Sequence, residues 1–207
     1  DRKWINLSKN ISIMPISTNI QDTILLLRVN NDVFINLNDA GPYSSRFIKK
    51  TTSKFRRKFL LSLCCYEADM LNFFDENNNF IKPPIAEKFS AGKVLSTIAN
   101  VVGAKFIIPF STFHEYQRED SIWANKYIYP VDKISNDISK NHTYIKPFSY
   151  INCTKDDDFI SLDLKKRKLE IKSPELFGDN WKDELNTFDK KIIENYFNKF
   201  LSFHKKV

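Results

Sequence analysis

The sequence predicts an α/β fold, with helices layered on a sheet, and three observations predict it. Two apolar runs rich in β-branched residues flank Asn30-Asn31, the pattern of a hairpin. Two later runs, FLLSLCCYEAD from Phe59 and AKFIIPF from Ala104, are short, apolar and uninterrupted, which suits strands buried on both faces. Segments with helical apolar spacing alternate with these runs, and strand, helix, strand, helix, strand is the order of a layered α/β domain.

The elements follow in chain order. The opening residues, DRKWINLSKNISIMPIS, read as the middle of a folded region. From Asp22 the stretch DTILLLRVNNDVFINLNDAGPY forms a hairpin, since asparagine tolerates the positive φ of a tight turn. Its second strand, Asp32 to Asn38, runs into Asp39-Ala40-Gly41-Pro42, so Asp39 stands where strand gives way to loop. Ser44 or Ser45 caps a helix with Phe47, Thr51, Phe55 and Phe59 at four-residue spacing. Residues 75–88 form a polar loop with a double proline. A second helix, Ser90 to Val102, puts Leu95, Ile98, Ala99 and Val102 on one face and stops at Gly103. The strand in AKFIIPF ends near Pro109 and leads into a polar, aromatic loop, STFHEYQREDSIWANKYIYP. Residues 143–172 read as further β structure, with a hairpin in FISLDLKKRKLEI. From Asp179 a long amphipathic helix has Leu185, Phe188, Ile192, Tyr196, Phe200 and Leu201 as its buried stripe. Two regions result, an α/β domain over 1–139 and a C-terminal α+β extension over 140–207.

Composition narrows the chemistry. Hydrophobic residues at 42% against 28% charged are enough for a folded core. The four glycines, Gly41, Gly92, Gly103 and Gly178, lie too far apart for a GxGxxG turn or a GxxxxGK[ST] phosphate loop. With three dispersed histidines and no CxxC pair, local zinc motifs are excluded, so a metal site would have to be assembled over long range. Cys64, Cys65 and Cys153 do not form a disulfide framework, and no apolar stretch reaches the roughly 18 residues of a membrane span. The reading is a cytoplasmic protein with a small-molecule substrate, no membrane partner and an open oligomeric state. A net charge of +7, with clusters at Lys49–Lys58 and Lys165–Lys168, raises nucleic-acid binding as a competitor. The aromatics of the first cluster fall at helical spacing and read as core, and the second cluster reads as an exposed turn, so nucleic acid is the lesser reading.

In layered α/β folds, ligands gather at the carboxyl ends of strands. Two segments meet that condition, Asn36-Leu37-Asn38-Asp39 and Pro109-Phe110-Ser111-Thr112-Phe113-His114. A carboxylate from one strand end and an imidazole from another suit a shared metal ion, although a single Asp there is more often a turn residue and a lone His more often packed. Asn38 adjoins the Asp39 carboxylate. After His114, Glu115 or Asp120 would orient the imidazole, Arg118 would hold an anionic group by its planar fork, and Trp123 would wall the pocket. The competing reading of these residues is a solvated loop.

The order of these pieces, with INLNDA over 35–40 and GAKFIIPFSTFHEY over 103–116, resembles the second half of a metallo-β-lactamase-fold domain. The wording NDA and IPFSTFH is closer to the branch with CMP-sialic acid hydroxylases and sugar-lactone hydrolases. The resemblance covers roughly residues 10–135 and implies the later half of an αββα sandwich. It implies one or two zinc, iron or manganese ions held by Asp39 and His114, with metal-activated water attacking a small polar or anionic substrate. The alternatives are a dinuclear-iron oxygenase on the same fold and a degenerate, non-catalytic basic binding module. The family's HxHxDH cluster is absent from these residues and is expected before Asp1. Where a further histidine is expected, the chain has Pro15-Ile16-Ser17-Thr18, with Asp22 as the nearest candidate.

Overall fold

A computed structural model describes residues 1–18, 22–63, 72–77, 79–111, 115–156, 158–162, 168–177 and 184–204. The chain divides into two compact units, one of residues 1–116 and 123–168, the other of residues 117–122 and 169–207.

The first unit is mixed α/β, built on a seven-stranded sheet whose order follows the chain. Its strands are β1 (Ile5–Asn6), β2 (Ile11–Ser17), β3 (Thr23–Val29), β4 (Asp32–Asn38), β5 (Arg57–Ser62), β6 (Phe106–Pro109) and β7 (Thr143–Tyr144). From β1 to β4 the strands run antiparallel, and from β4 to β7 they run parallel. The hairpin of β3 and β4 turns at Asn30, whose φ of 53° is the left-handed conformation that asparagine tolerates. Parallel neighbours need crossovers, and helices α1 (Ser45–Thr52), α2 (Pro84–Lys88), α3 (Ala91–Val102) and α4 (Val131–Ile134) lie between the later strands.

The helix expected to be capped by Ser44 or Ser45 and to carry Phe59 is shorter, and the strand expected from Phe59 is present as β5. α1 ends at Thr52, and Phe59 lies in β5, with no accessible surface. Residues 57–62 gain ladder hydrogen bonds on two sides and burial on two faces by entering the sheet, which outweighs the extra turns of a lysine-rich helix. The expected second helix is α3. Ser90 is its extended N-cap residue, and Gly103, at φ 76°, closes it with its N–H toward Ala99 O and Asn100 O.

Alternation along the strands separates two cores. Met14, Ile16, Ile24, Leu26, Val33, Ile35, Leu37, Leu60 and Ile107 face α1 and α3, where Ile48, Leu95, Ala99 and Val102 meet them. The opposite parity carries Phe34, Phe59, Leu61, Phe106 and Ile108. Phe34, Phe59 and Phe106 stack across three strands at centroid spacings of 4.7 and 4.8 Å. A small hairpin of β8 (Ser149–Ile151) and β9 (Phe159–Ser161) lies on that face, bringing Ile151 and Phe159 to the aromatic row. The hairpin expected inside FISLDLKKRKLEI is therefore replaced: its first residues pair backward with Ser149–Ile151, because that pairing buries Phe159 on Phe59 and Phe106. Residues 163–167 of that stretch lie outside the described residues.

At the start of β4 and β5 a carboxylate is buried. Asp32 has no accessible surface and accepts hydrogen bonds from Arg57 Nε (3.1 Å) and Nη2 (2.6 Å), and from Arg56 Nε and Nη2. Arg57 also donates to Asn152 O at 2.8 Å and lies over the Phe59 and Phe159 rings. Burial by itself would push the Asp32 carboxyl up, but the hydrogen bonds and charges of Arg57 and Arg56 outweigh it and hold the group below its usual range.

The second unit holds a short 3-10 turn, Pro174–Phe177, and helix α5 (Thr187–His204). The helix expected from Asp179 begins at Thr187; residues 178–183 lie outside the described residues. Its stripe was expected to be buried, yet Phe188, Ile192, Tyr196, Phe200 and Leu201 are all exposed, as is Leu185 before the helix. Periodicity selects which residues share a face and says nothing of what covers it. Among the described residues no helix is long and apolar enough to cross a membrane.

Two stability outcomes follow. Asp32→Asn leaves Arg57 buried without its counter-charge and should cost about 3–5 kcal/mol in urea unfolding at pH 7. Because the folded carboxyl titrates below its unfolded value near 4, its contribution is present above that pH and is lost as pH falls through the lowered folded value; the variant should lack this acid-dependent loss. Gly92→Ala would place a Cβ 2.6 Å from Ile134 O and 2.7 Å from Asp137 C, both backbone atoms, and should lower stability by about 1–3 kcal/mol in the same measurement.

Candidate functional site

Three parallel strands end on one edge of the sheet, and the register places their ends in one row: Asn38 of β4 opposite Ser62 of β5, and Ser62 opposite Pro109 of β6. At the end of β4 the register slips between Asn36 and Asn38, and the extra residue turns the strand. Asn38 takes φ 48°, its N–H donates to Asn36 Oδ1 at 3.0 Å, and its carbonyl accepts from Leu63 N–H at 2.8 Å. Its amide Nδ2 donates to Asp39 Oδ1 at 2.7 Å. Asp39 is exposed at the edge, next to an amide that orients its carboxylate.

On the same edge, at the face away from α1 and α3, lies a cavity of about 650 Å³. That volume is within the roughly 300–1,000 Å³ of small-molecule sites. Phe34, Leu61 and Ile108 form its floor, and the segments following β6 and β7, Pro109–Ser111 and Ile145–Ser149, form its walls. The lining is mostly apolar, with exposed Ser111 and Lys146 and half-buried Ser149 as polar groups. Two wall residues sit in left-handed backbone, Ser111 at φ 59° and Phe148 at φ 57°. For a bulky aromatic residue that conformation is an outlier, and such outliers gather at binding sites where surrounding structure holds them. Phe148 and Phe110 are both exposed at the cavity.

The expected site residues are distributed as follows. Asn38 and Asp39 stand at the end of β4. His114 lies outside the described residues. Glu115 is exposed. The loop after Glu115 is locked by Asn125, not among the expected site residues, which donates to Tyr116 O and accepts from Tyr116 N–H. Trp123 meets Phe74 edge to face at 5.0 Å, in an aromatic cluster with Tyr127. Arg118 and Asp120 belong to the second unit, where the Arg118 fork donates Nε to Oδ1 (3.1 Å) and Nη2 to Oδ2 (2.7 Å) of Asp120, and its guanidinium lies over Phe177. Among the described residues, the anticipated segment that lines the cavity is Pro109–Ser111. The wall from Ile145 to Ser149 was not anticipated. Its signal, a proline and a phenylalanine directly after a short strand, is weak in isolation.

The resemblance implies a metal centre held by Asp39 and His114. Among the described residues no group of three or more His, Cys, Asp or Glu side chains converges. At the end of β4 the described donor is one carboxylate, one oxygen of which already accepts from Asn38, so a metal ion there would need ligands from other segments. Comparison with protein-family models, with curated proteins and with solved structures finds no match to this chain.

Proposed function

We propose that this protein binds a small molecule with an apolar body in the cavity at the carboxyl ends of β5 and β6. The observation that carries the reading is the cavity itself: an apolar floor supplied by three adjacent strands, walls from two strand-end loops, and strained backbone in both walls. Ser111 and Lys146 favour a polar or anionic group at one end of the ligand, so the small polar or anionic substrate read from the sequence is extended to one with an apolar portion.

A second reading, a metal-dependent hydrolase of the metallo-β-lactamase fold, is favoured by one position. Asp39 follows Asn38, which stands two strands from Pro109 in the strand-end row, a distance of about 10 Å at the usual strand spacing. The αββα arrangement belongs to this reading as well. Ile13, Pro15, Leu25 and Leu27, on the face of β2 and β3 away from the helices, are only half-buried, as a sheet prepared to meet a second sheet would be.

The cavity is tested with an apolar naphthalene-sulfonate dye. Ile108→Trp fills the floor and should weaken dye binding about tenfold or more, while Leu201→Asp on α5 leaves a saturable component unchanged. Equal dye affinity in Ile108→Trp and the parent protein would remove the first reading. For the second, elemental analysis of the purified protein should find about one to two equivalents of zinc, iron or manganese, lost in Asp39→Ala; full metal retained by that variant sinks the assignment.

A further inference from the structure

At the other end of the sheet and on its helix-bearing face there is a second, smaller cavity of about 150 Å³, lined by Trp4, Asn6, Ser12, Arg28, Lys54 and Phe55. Its position is set by register. Ser12 of β2 stands opposite Arg28 of β3, and Arg28 stands opposite Val33 near the start of β4. Arg28 therefore shares the face of Ile24 and Leu26, one pleat beyond the apolar core, where a cation would be expected to find a partner.

Among the described residues no carboxylate is paired with it. Arg28 Nε is buried and makes no hydrogen bond, and its Nη2 reaches only Lys9 O, at 3.4 Å. A buried guanidinium N–H left unpaired costs roughly 1–3 kcal/mol, and an unseen water or ion is one of the few explanations for such a group. Ser12 is almost fully buried, and its hydroxyl donates to Asn6 Oδ1 at 2.7 Å. That bond engages the one side-chain carbonyl oxygen in the lining. Lys54 brings a second positive charge, with its ammonium 5.7 Å from the centroid of the Phe55 ring. Trp4 meets the same ring edge to face at 5.8 Å, which makes one wall rigid and apolar. Among the described residues no aspartate or glutamate lines the cavity.

We propose that this cavity is a binding site for a small oxyanion of the phosphate class, held by Arg28 and Lys54. Two cations without a carboxylate, one of them with a buried and unused N–H, are matched by an anion that accepts several hydrogen bonds at once. The volume admits a tetrahedral anion with one or two waters, or the phosphate end of a small ester whose remainder projects outward past exposed Asn6 and Lys54. A nucleotide would not fit inside it. The site is independent of the strand-end cavity, from which it differs in both face and edge, so it stands or falls separately from the reading above.

The test is calorimetric titration of the full chain with inorganic phosphate, against sodium chloride at matched ionic strength. Saturable binding of phosphate is expected, weakened about tenfold or more in Arg28→Gln and about threefold in Lys54→Gln, and unchanged in Lys88→Gln on α2. A sugar monophosphate run in parallel reports the source: tighter binding than inorganic phosphate assigns the site to an organic ester, and equal or weaker binding assigns it to the free ion. Heats for phosphate no different from those for chloride, or equal affinity in the parent and Lys54→Gln proteins, would overturn the proposal. Because Lys54 is exposed, its variant keeps the test decisive if Arg28→Gln fails to fold.

Discussion

The pairing of Asp32 with Arg57 is the constraint on which the rest of the first unit depends. Antiparallel strands inherit their register from the turn that joins them, but β4 and β5 are parallel and separated by a helix, so no turn sets their alignment. The ion pair does: Asp32 and Arg57 are partners in the ladder, and both side chains are buried. A slip by one residue would send Arg57 to the helix face and Leu60 to the aromatic face, leaving a charge uncompensated in each direction. A buried ion pair contributes little net stability compared with apolar packing, so its value here is selective, penalising every other register. The same guanidinium reaches Asn152 O, and Arg56 reaches Asp156 at 2.8 Å, so the hairpin of β8 and β9 is tied to the same point.

From that alignment the geometry of the opposite edge follows. Once Asp32 meets Arg57, Asn38 meets Ser62 and Ser62 meets Pro109, and the loops that leave β4 and β6 emerge from one row. The cavity exists because β8 and β9 cover only part of the aromatic face: Phe159 closes the middle over Phe59 and Phe106, while Leu61 and Ile108 toward the strand ends are only partly covered. Anchor and opening thus lie at opposite ends of the same strands. A rigid sheet end is a suitable base for loops such as Pro109–Ser111, whose backbone is held in a costly conformation.

Much of the sheet was legible in the residues. Asn30-Asn31 between β-branched runs marks a hairpin by local chemistry, and Gly103 ends α3 because it alone adopts a positive φ there without a Cβ penalty. Asp39 at a strand end was likewise readable, since strand and turn residues meet there in sequence. Helical spacing misled at Phe59, because four-residue spacing among aromatics is also compatible with a short helix followed by a strand, and only pairing partners on both sides decide between them. The cavity walls at Ile145–Ser149 were not legible: their role depends on β7 joining the sheet beside β6, a contact between residues about 40 positions apart in the chain.

What the sequence by itself determined is local: the sites of turns and caps, the periodicity of each segment, the mixed α/β class, and the absence of short nucleotide and zinc motifs. These depend on φ preferences and side-chain spacing within a few residues, which neighbours far along the chain do not alter. The tertiary structure alone decided where α1 stops, which segment pairs with Phe159, that Arg28 and Lys54 share a cavity, and that the apolar stripe of α5 is exposed. Each of these depends on burial and pairing between distant segments, and burial is a property of what lies opposite a residue, which its own sequence neighbourhood does not encode.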